Sequence, residues 1–482
     1  MGFLRSRLFR FIASLGLAAI FYFLCPPCFS KVNLGLVLAL LVLIINIPKV
    51  FGYKYLTHLT RIAVGGLFIF SGFIKANDPE GFSIKLKEYF EVFDEGFSCD
   101  MKLHQETIKG VPCSPDKPAA ETTTATVQAP PAPKEGFMHN MWMFFAEHSV
   151  FLAIFICGFE VAVGIFLLLG LQVRWTLLIL LLMIIFFSFL TFYSACCNKV
   201  TSCGCFGDAI KLTPWESFWK DLILLILIAV LFVGEQNIRP PFKNSIVVAC
   251  IAGIGLFLSF AFPVYTYRHL PILDFRPYKI GTNLYEASKV KDPKTTGCLP
   301  DSMRITYYYQ NTKTGQIIHF LSTHMDSFPS DTNFQYYCRE DLLVRKGNCN
   351  PTVLDFNLVN PETEDILTDS ILQLKGVQFF LVMNDLSEAE RSPMPKVNAF
   401  FAECQKHNTV FNGLSNGSVE MVASFRKETG AQYPMLTVDG TALKTVIRSN
   451  PGLVMLKDGT VIAMWHYNDF PTYNEAMEKS RN

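Results

Sequence analysis

Runs of mostly apolar residues recur along residues 1–267 of this chain. Nothing else constrains its fold as strongly, because a helix needs ~20 such residues to cross the hydrocarbon core of a bilayer. Residues 32–50, 149–171, 175–195, 214–233 and 246–265 meet that requirement. The run at 214–233 also has boundary chemistry: Thr213 and Glu216 make a T-x-x-E capping box, Pro214 suits the first helical position, and Gly234 suits the exit. Residues 62–74 form a shorter run that Arg61 and Lys75 lengthen by snorkelling from its ends. Residues 11–24 follow Arg5, Arg7 and Arg10 and have the length of a signal-peptide core. No A-x-A cleavage site follows them, so we expect an uncleaved first helix and seven spans.

Charge divides the chain in two. Residues 1–267 hold 37 Lys, Arg, Asp and Glu, whereas the 215 residues from 268 to 482 hold 46. A membrane protein with a soluble tail is expected. The net charge of +1 leaves no surplus of basic groups for nucleic-acid binding. Lys and Arg in the short loops set orientation. Arg5, Arg7 and Arg10, then Lys49, Lys54 and Arg61, then Arg174, then Arg239 and Lys243 alternate consistently, which places the N-terminus in the cytoplasm and everything after Tyr265 outside. Of 14 cysteines, only Cys157 and Cys250 fall in spans, and the other 12 fall on the outer side, as an oxidising compartment requires.

Between the spans, residues 77–141 form a long outer loop. Residues 81–93 within it read as an amphipathic helix lying on the membrane, and residues 112–134 are rich in Pro, Ala and Thr, a composition that cannot bury a core. After the last span, residues 303–310 and 316–321 read as strands. Further on come a buried strand at 377–382, helices at 396–407 and 418–429 with a strand at 410–413 between them, a hairpin about Asp458-Gly459, and a helix at 473–479. That alternation predicts a small α/β domain.

Two stretches resemble known families. The run from Arg61 through Gly65, Gly66, Gly72 and Lys75 to Asn77-Asp78-Pro79 resembles the opening of bacterial DoxX-family membrane proteins. Cys196-Cys197 followed by Cys203-Gly204-Cys205-Phe206-Gly207-Asp208, then 212–216 and Lys220-Asp221, is similar to the related MauE branch. The resemblance covers roughly residues 61–234 and implies a four-helix core with a role in disulfide formation or thiol redox. Residues 355–465 resemble periplasmic thioredoxin-like domains, with Pro451 at the position of their cis-proline. Where that family carries C-x-x-C after the first central strand, this chain has Asn384-Asp385-Leu386-Ser387-Glu388. The expected architecture is therefore an α-helical polytopic membrane domain, a DoxX-like four-helix core plus extra helices, followed by an α/β thioredoxin-like periplasmic domain. In detail it comprises an N-terminal transmembrane hairpin (1–58), a DoxX/MauE-like domain (59–267), a β-rich periplasmic segment (268–350) and a thioredoxin-like domain (351–482).

Cys203-Gly204-Cys205 leads the candidates for chemistry. A disulfide between cysteines two apart would be strained and oxidising, and Cys196 and Cys197 could relay by mixed-disulfide exchange. A static staple between Cys196 or Cys197 and Cys203 or Cys205 fits equally. The spacing does not match the paired arrangement of zinc sites, and no metal is expected. Cys25-Pro26-Pro27-Cys28 has the redox C-x-x-C spacing at the outer end of the first helix. Glu160 stands near the middle of a span, where a carboxylate must be paired or protonated. Lys75 or Arg61 is its expected partner, either as a structural ion pair or in a proton path to a membrane quinone. Asp208 orients the cysteine loop or tunes a thiol, or makes a turn hydrogen bond. For Cys298, Cys338, Cys349 and Cys404 structural disulfides are expected; Cys338–Cys349 with Cys298–Cys404 suits the spacing, though three pairings exist.

Two functions follow. The first is an inner-membrane thiol-disulfide oxidoreductase that passes electrons from periplasmic client proteins to a quinone. The second is a non-enzymatic scaffold or assembly factor with structural cysteines, whose thioredoxin-like domain docks a partner.

Overall fold

The computed structural model describes residues 53–95, 136–197, 206–210, 212–313, 317–323, 333–345 and 347–481. These fall into two compact units that divide after Phe275. The spans expected at 11–24 and 32–50, and the Pro/Thr-rich segment at 112–134, lie outside the described residues.

The first unit is helical: α1 Tyr53–Asn77, α2 Pro79–Glu95, α3 Phe137–Glu147, α4 Ser149–Leu169, α5 Val173–Cys197, α6 Pro214–Val233 and α7 Ser245–Arg268. Four of them, α1, α4, α5 and α7, are long and apolar enough to cross a membrane. Helix α6 has the length too, but Glu216, Lys220 and Asp221 occupy its first two turns. Its start is the expected capping box, with Thr213 N–H donating to Glu216 Oε2 at 2.8 Å and Glu216 N–H donating to Thr213 Oγ1 at 3.3 Å.

The run expected at 62–74 is a 25-residue helix. Thr57, Thr60 and Arg61 in its first turns are buried; Thr57 returns its hydroxyl to Tyr53 O, and Arg61 spends its guanidinium on carbonyls. Arg61 donates to Leu167 O, Leu168 O and Arg239 O at 2.9, 2.5 and 2.9 Å, so it closes the end of α4 and is not the partner of Glu160. Helices α1 and α4 meet backbone to backbone. A Cβ on Gly65 would sit 2.8 Å from the Leu168 side chain, and one on Gly164 would sit 2.9 Å from Gly65 O. Small residues at such a crossing let helices approach closely where no hydrophobic effect drives them together.

Helix α2 is amphipathic as expected, but protein covers its apolar face. Phe82, Leu86, Tyr89, Phe90 and Phe93 are buried with Ala146, Leu190 and Tyr193, against Trp142 and Phe145 of α3. Helix α7 keeps Ile246, Ile254, Phe257 and Leu258 exposed, an apolar surface suited to lipid.

The second unit holds two sheets. Strands β1 Ser302–Asn311, β2 Ile317–Leu321 and β3 Phe334–Arg345 form an antiparallel sheet in the order β2-β1-β3. Strands β4 Val377–Met383, β5 Val410–Ser415, β6 Met435–Thr437, β7 Gly452–Lys457 and β8 Thr460–His466 form a second sheet in the order β6-β5-β4-β7-β8. Parallel strands need a crossover, and here α8 Met394–Lys406 joins β4 to β5 and α9 Val419–Thr429 joins β5 to β6. The antiparallel strands β7 and β8 are joined at Asp458-Gly459, where φ of +51° and +77° gives the doubly left-handed turn that such a hairpin favours. Phe379, Leu381, Met383, Val397, Phe400, Leu453 and Met455 fill the core. The chain ends on α10 Tyr473–Lys479, capped by Thr472 and Glu475. The Asn450–Pro451 peptide is cis.

Cys298 is bonded to Cys349, not to Cys404. Cys404 is a free thiol on the core face of α8 and fully buried, so the expected pairs Cys298–Cys404 and Cys338–Cys349 do not form. The side chain of Cys338 lies outside the described residues.

Candidate functional site

The cysteine cluster is framed by elements that the structure does describe. Cys196 stands half-buried at the end of α5, and Cys197 is the last residue of that helix. Cys203, Cys205, Cys25, Cys28 and the side chain of Cys197 lie outside the described residues. The loop re-enters at Phe206. This ring is buried against Leu67 and Leu212, 5.9 Å from the Phe70 ring, and a turn closes behind it with Ala209 N–H donating to Phe206 O at 3.2 Å. Asp208 is exposed in that turn. The cysteine loop therefore starts at the end of α5 and is fastened, through Phe206, to α1 ahead of the α6 cap.

Beneath Phe206 lie two ion pairs, the first buried on both sides and the second with a buried carboxylate and a partly exposed lysine. Lys75 Nζ of α1 is 2.6 Å from Glu160 Oε2 of α4, with both side chains almost fully buried. Lys220 Nζ is 2.6 Å from Asp221 Oδ1 on α6, and Thr191 of α5 donates to Asp221 Oδ2 at 3.1 Å. Lys75 also stands 4.6 Å from the Phe187 ring centroid, and Lys220 stands 5.4 Å from that of Phe206. All four charged groups line one cavity with Ser71, Phe187 and Phe206. Of the two partners expected for Glu160, the structure selects Lys75. The Lys220–Asp221 pair is an additional feature. Its signal in the sequence is two adjacent opposite charges early in an otherwise apolar run.

The open space in this cavity is water-sized. As the side chains stand, that space is too small for a quinone ring beside Phe187 and Phe206. Among the described residues no cluster of His, Cys, Asp or Glu is arranged to hold a metal.

In the second unit, the segment after β4 carries no thiol. Partial burial works against the Asp385 carboxylate. The hydroxyl and amide of Ser387, which donate to it at 2.5 and 2.8 Å, prevail and hold it below the usual carboxylate range. Asn450 Nδ2 donates to Asp385 O at 2.8 Å and Glu390 N–H donates to Asn450 O, so this loop is tied to the residue before Pro451. Burial, with a smaller contribution from the charge of Glu403, pushes the Cys404 thiol up to about 12. A thiol is reactive only as thiolate. Cys404 is therefore expected to resist iodoacetamide in the folded protein at neutral pH and to react once the chain is unfolded in denaturant, as read by peptide mass spectrometry.

With its four apolar spanning helices, the chain is a multi-pass membrane protein carrying an α/β C-terminal region. Residues 131–234 match the family described as methylamine utilisation protein MauE. That stretch runs from before α3 to the end of α6 and includes the whole cysteine cluster. The chain is also similar to Protein TlpB of Flavobacterium psychrophilum, 32% identical over 108 residues. That match takes in 21% of this chain and 29% of TlpB, so the chain spans less than a third of that relative's length. No solved structure matches the chain.

Proposed function

We propose that this protein is a thiol/disulfide relay of MauE/DoxX type in the inner membrane, with its N-terminus cytoplasmic and its cysteine loop and C-terminal unit in the periplasm. The observation that carries this reading is the match to MauE over 131–234, which includes the end of α5 and the loop before α6 where four of the cysteines are gathered. In the relay a thiolate of a client protein attacks the Cys203–Cys205 disulfide and releases one loop thiolate. The client's second thiolate then resolves the mixed disulfide. The client ends with a disulfide and the loop with two thiols. Cys196 and Cys197 pass the oxidation onward. Re-oxidation requires a lipid-soluble two-electron acceptor; a quinone is the proposed class, meeting the relay at the loop. The Cys25–Cys28 pair is a second proposed exchange site on the same side. Asp208 is proposed to orient the loop.

The C-terminal unit is proposed as a thioredoxin-like docking module without redox chemistry of its own. The strand order β6-β5-β4-β7-β8, the crossovers α8 and α9 and the terminal hairpin and helix support that fold. The absence of a thiol after β4 and the burial of Cys404 support the lack of chemistry. These last two observations also favour a second reading, in which the whole protein is a membrane scaffold and its cysteines are staples.

Acid trapping of living cells, differential alkylation and peptide mass spectrometry separate the two. The relay predicts that Cys203 and Cys205 are partly reduced in cells, and that Cys203→Ser abolishes client oxidation with the protein level unchanged. Full, static pairing of the outer cysteines would make the protein a scaffold.

A further inference from the structure

Buried charge in the helical unit is handled in two ways. Arg61 gives its guanidinium to three backbone carbonyls and thereby acts as a cap. The Lys75–Glu160 and Lys220–Asp221 pairs instead share a cavity, although they belong to three different helices. Lys75, Glu160 and Asp221 are buried while Lys220 stays partly exposed, and charged groups inside a membrane bundle are costly and commonly mark ion or proton pathways. A polar space of water size with several hydrogen-bonding walls holds water stably. Here two ammoniums, two carboxylates and the Ser71 hydroxyl form the polar part of walls that are otherwise apolar.

We infer that this cavity is an intramembrane proton-exchange site, in which water between the two ion pairs delivers a proton to Glu160 or Asp221. The step is simple: a hydronium proton moves to a carboxylate oxygen, giving a carboxylic acid and water, while the neighbouring ammonium keeps its charge. Thr191 holds one oxygen of Asp221, leaving the other to Lys220 and the cavity. The place of the site gives it a source of protons. Phe206 forms part of the cavity wall and follows Cys205 directly in the chain. A thiol must lose its proton before its sulfur attacks, and two thiols release two protons as they become a disulfide. This coupling to the cysteines rests on the relay reading; the proton site itself does not.

The test is infrared difference spectroscopy on the full-length protein in lipid nanodiscs. Acidification is expected to raise a protonated-carboxyl band, and isotope-labelled glutamate or aspartate assigns it in the unaltered protein. Asp221→Asn, which keeps the Thr191 contact, and the charge-balanced pair Lys75→Met with Glu160→Gln should each remove part of the band. All three substitutions together should remove it entirely. Absence of the band in the native protein, or its survival in the triple variant, overturns the inference. Oxidation of the reduced protein with two equivalents of ferricyanide, which takes the two electrons and leaves both thiol protons, should raise the same band. A band that follows pH and ignores ferricyanide overturns the coupling alone. Failure of the relay itself is read separately, from the alkylation of Cys203 and Cys205 in cells.

Discussion

Replacing Lys75 with Met should destabilise the helical unit by about 3–5 kcal/mol, because removing one partner of a buried ion pair strands the other charge. Glu160 is buried in the middle of α4, and its carboxylate has Lys75 at 2.6 Å. Around it stand the Phe187 ring and the apolar surfaces of α1 and α5. The cavity beside the pair has room for little more than one water, which solvates a carboxylate far less well than bulk solvent does, and Gly65, Gly72 and Gly164 keep α1 and α4 too close for more to enter. Glu160→Leu should cost a similar amount by stranding Lys75. The double variant Lys75→Met with Glu160→Leu should recover most of the loss, since an apolar pair of similar volume often replaces a buried ion pair at little cost. Denaturant titration in mixed micelles across the four proteins gives the coupling free energy directly. Additive single losses would mean that the two charges are held independently, and that the pair does not fix the packing of α1 on α4.

That pair also shows how far the sequence reaches. A lone carboxylate in the middle of an apolar run is conspicuous by itself, and the cations at either end of the preceding run narrow its partner to two. Choosing between them depends on which end of α1 faces Glu160 when the helices cross at Gly65 and Gly72, and that is a tertiary fact. The same limit governs α2. Its 3.6-residue period is legible, but Trp142 and Phe145, which cover its apolar face, lie beyond the Pro/Thr-rich insertion. The length of α1 was hidden by Thr57, Thr60 and Arg61, polar residues that a hydropathy pattern reads as loop and that the bundle buries. The α/β unit was easier to read, because strand and helix periods and the Asp458-Gly459 turn are local signals. Disulfide pairing is not local, and four cysteines cannot reveal it.

Removing the Cys298–Cys349 disulfide should cost about 4 kcal/mol, and the loss should fall unevenly on the second unit. The bond joins residues 51 apart, and a loop of that size restricts the unfolded chain by roughly this amount in the chain-entropy account. The loop so closed contains the whole β2-β1-β3 sheet. A three-stranded sheet has little stability of its own without a well-covered apolar face. The neck of the loop has other ties, with Asn348 N–H donating to Leu299 O at 2.8 Å and Gly347 N–H donating to Asp301 Oδ1 at 2.6 Å. Each such bond contributes only about 1 kcal/mol net, so together they do not replace the covalent closure. The five-stranded sheet lies outside the loop and keeps its fully buried core at Phe379, Leu381, Leu453 and Met455. In the full-length Cys298→Ser, Cys349→Ser variant, hydrogen exchange should therefore accelerate across β1, β2 and β3 while β4 and β7 stay protected. Equal loss of protection in both sheets would mean that the disulfide supports the unit as a whole, and that its two sheets unfold as one cooperative body.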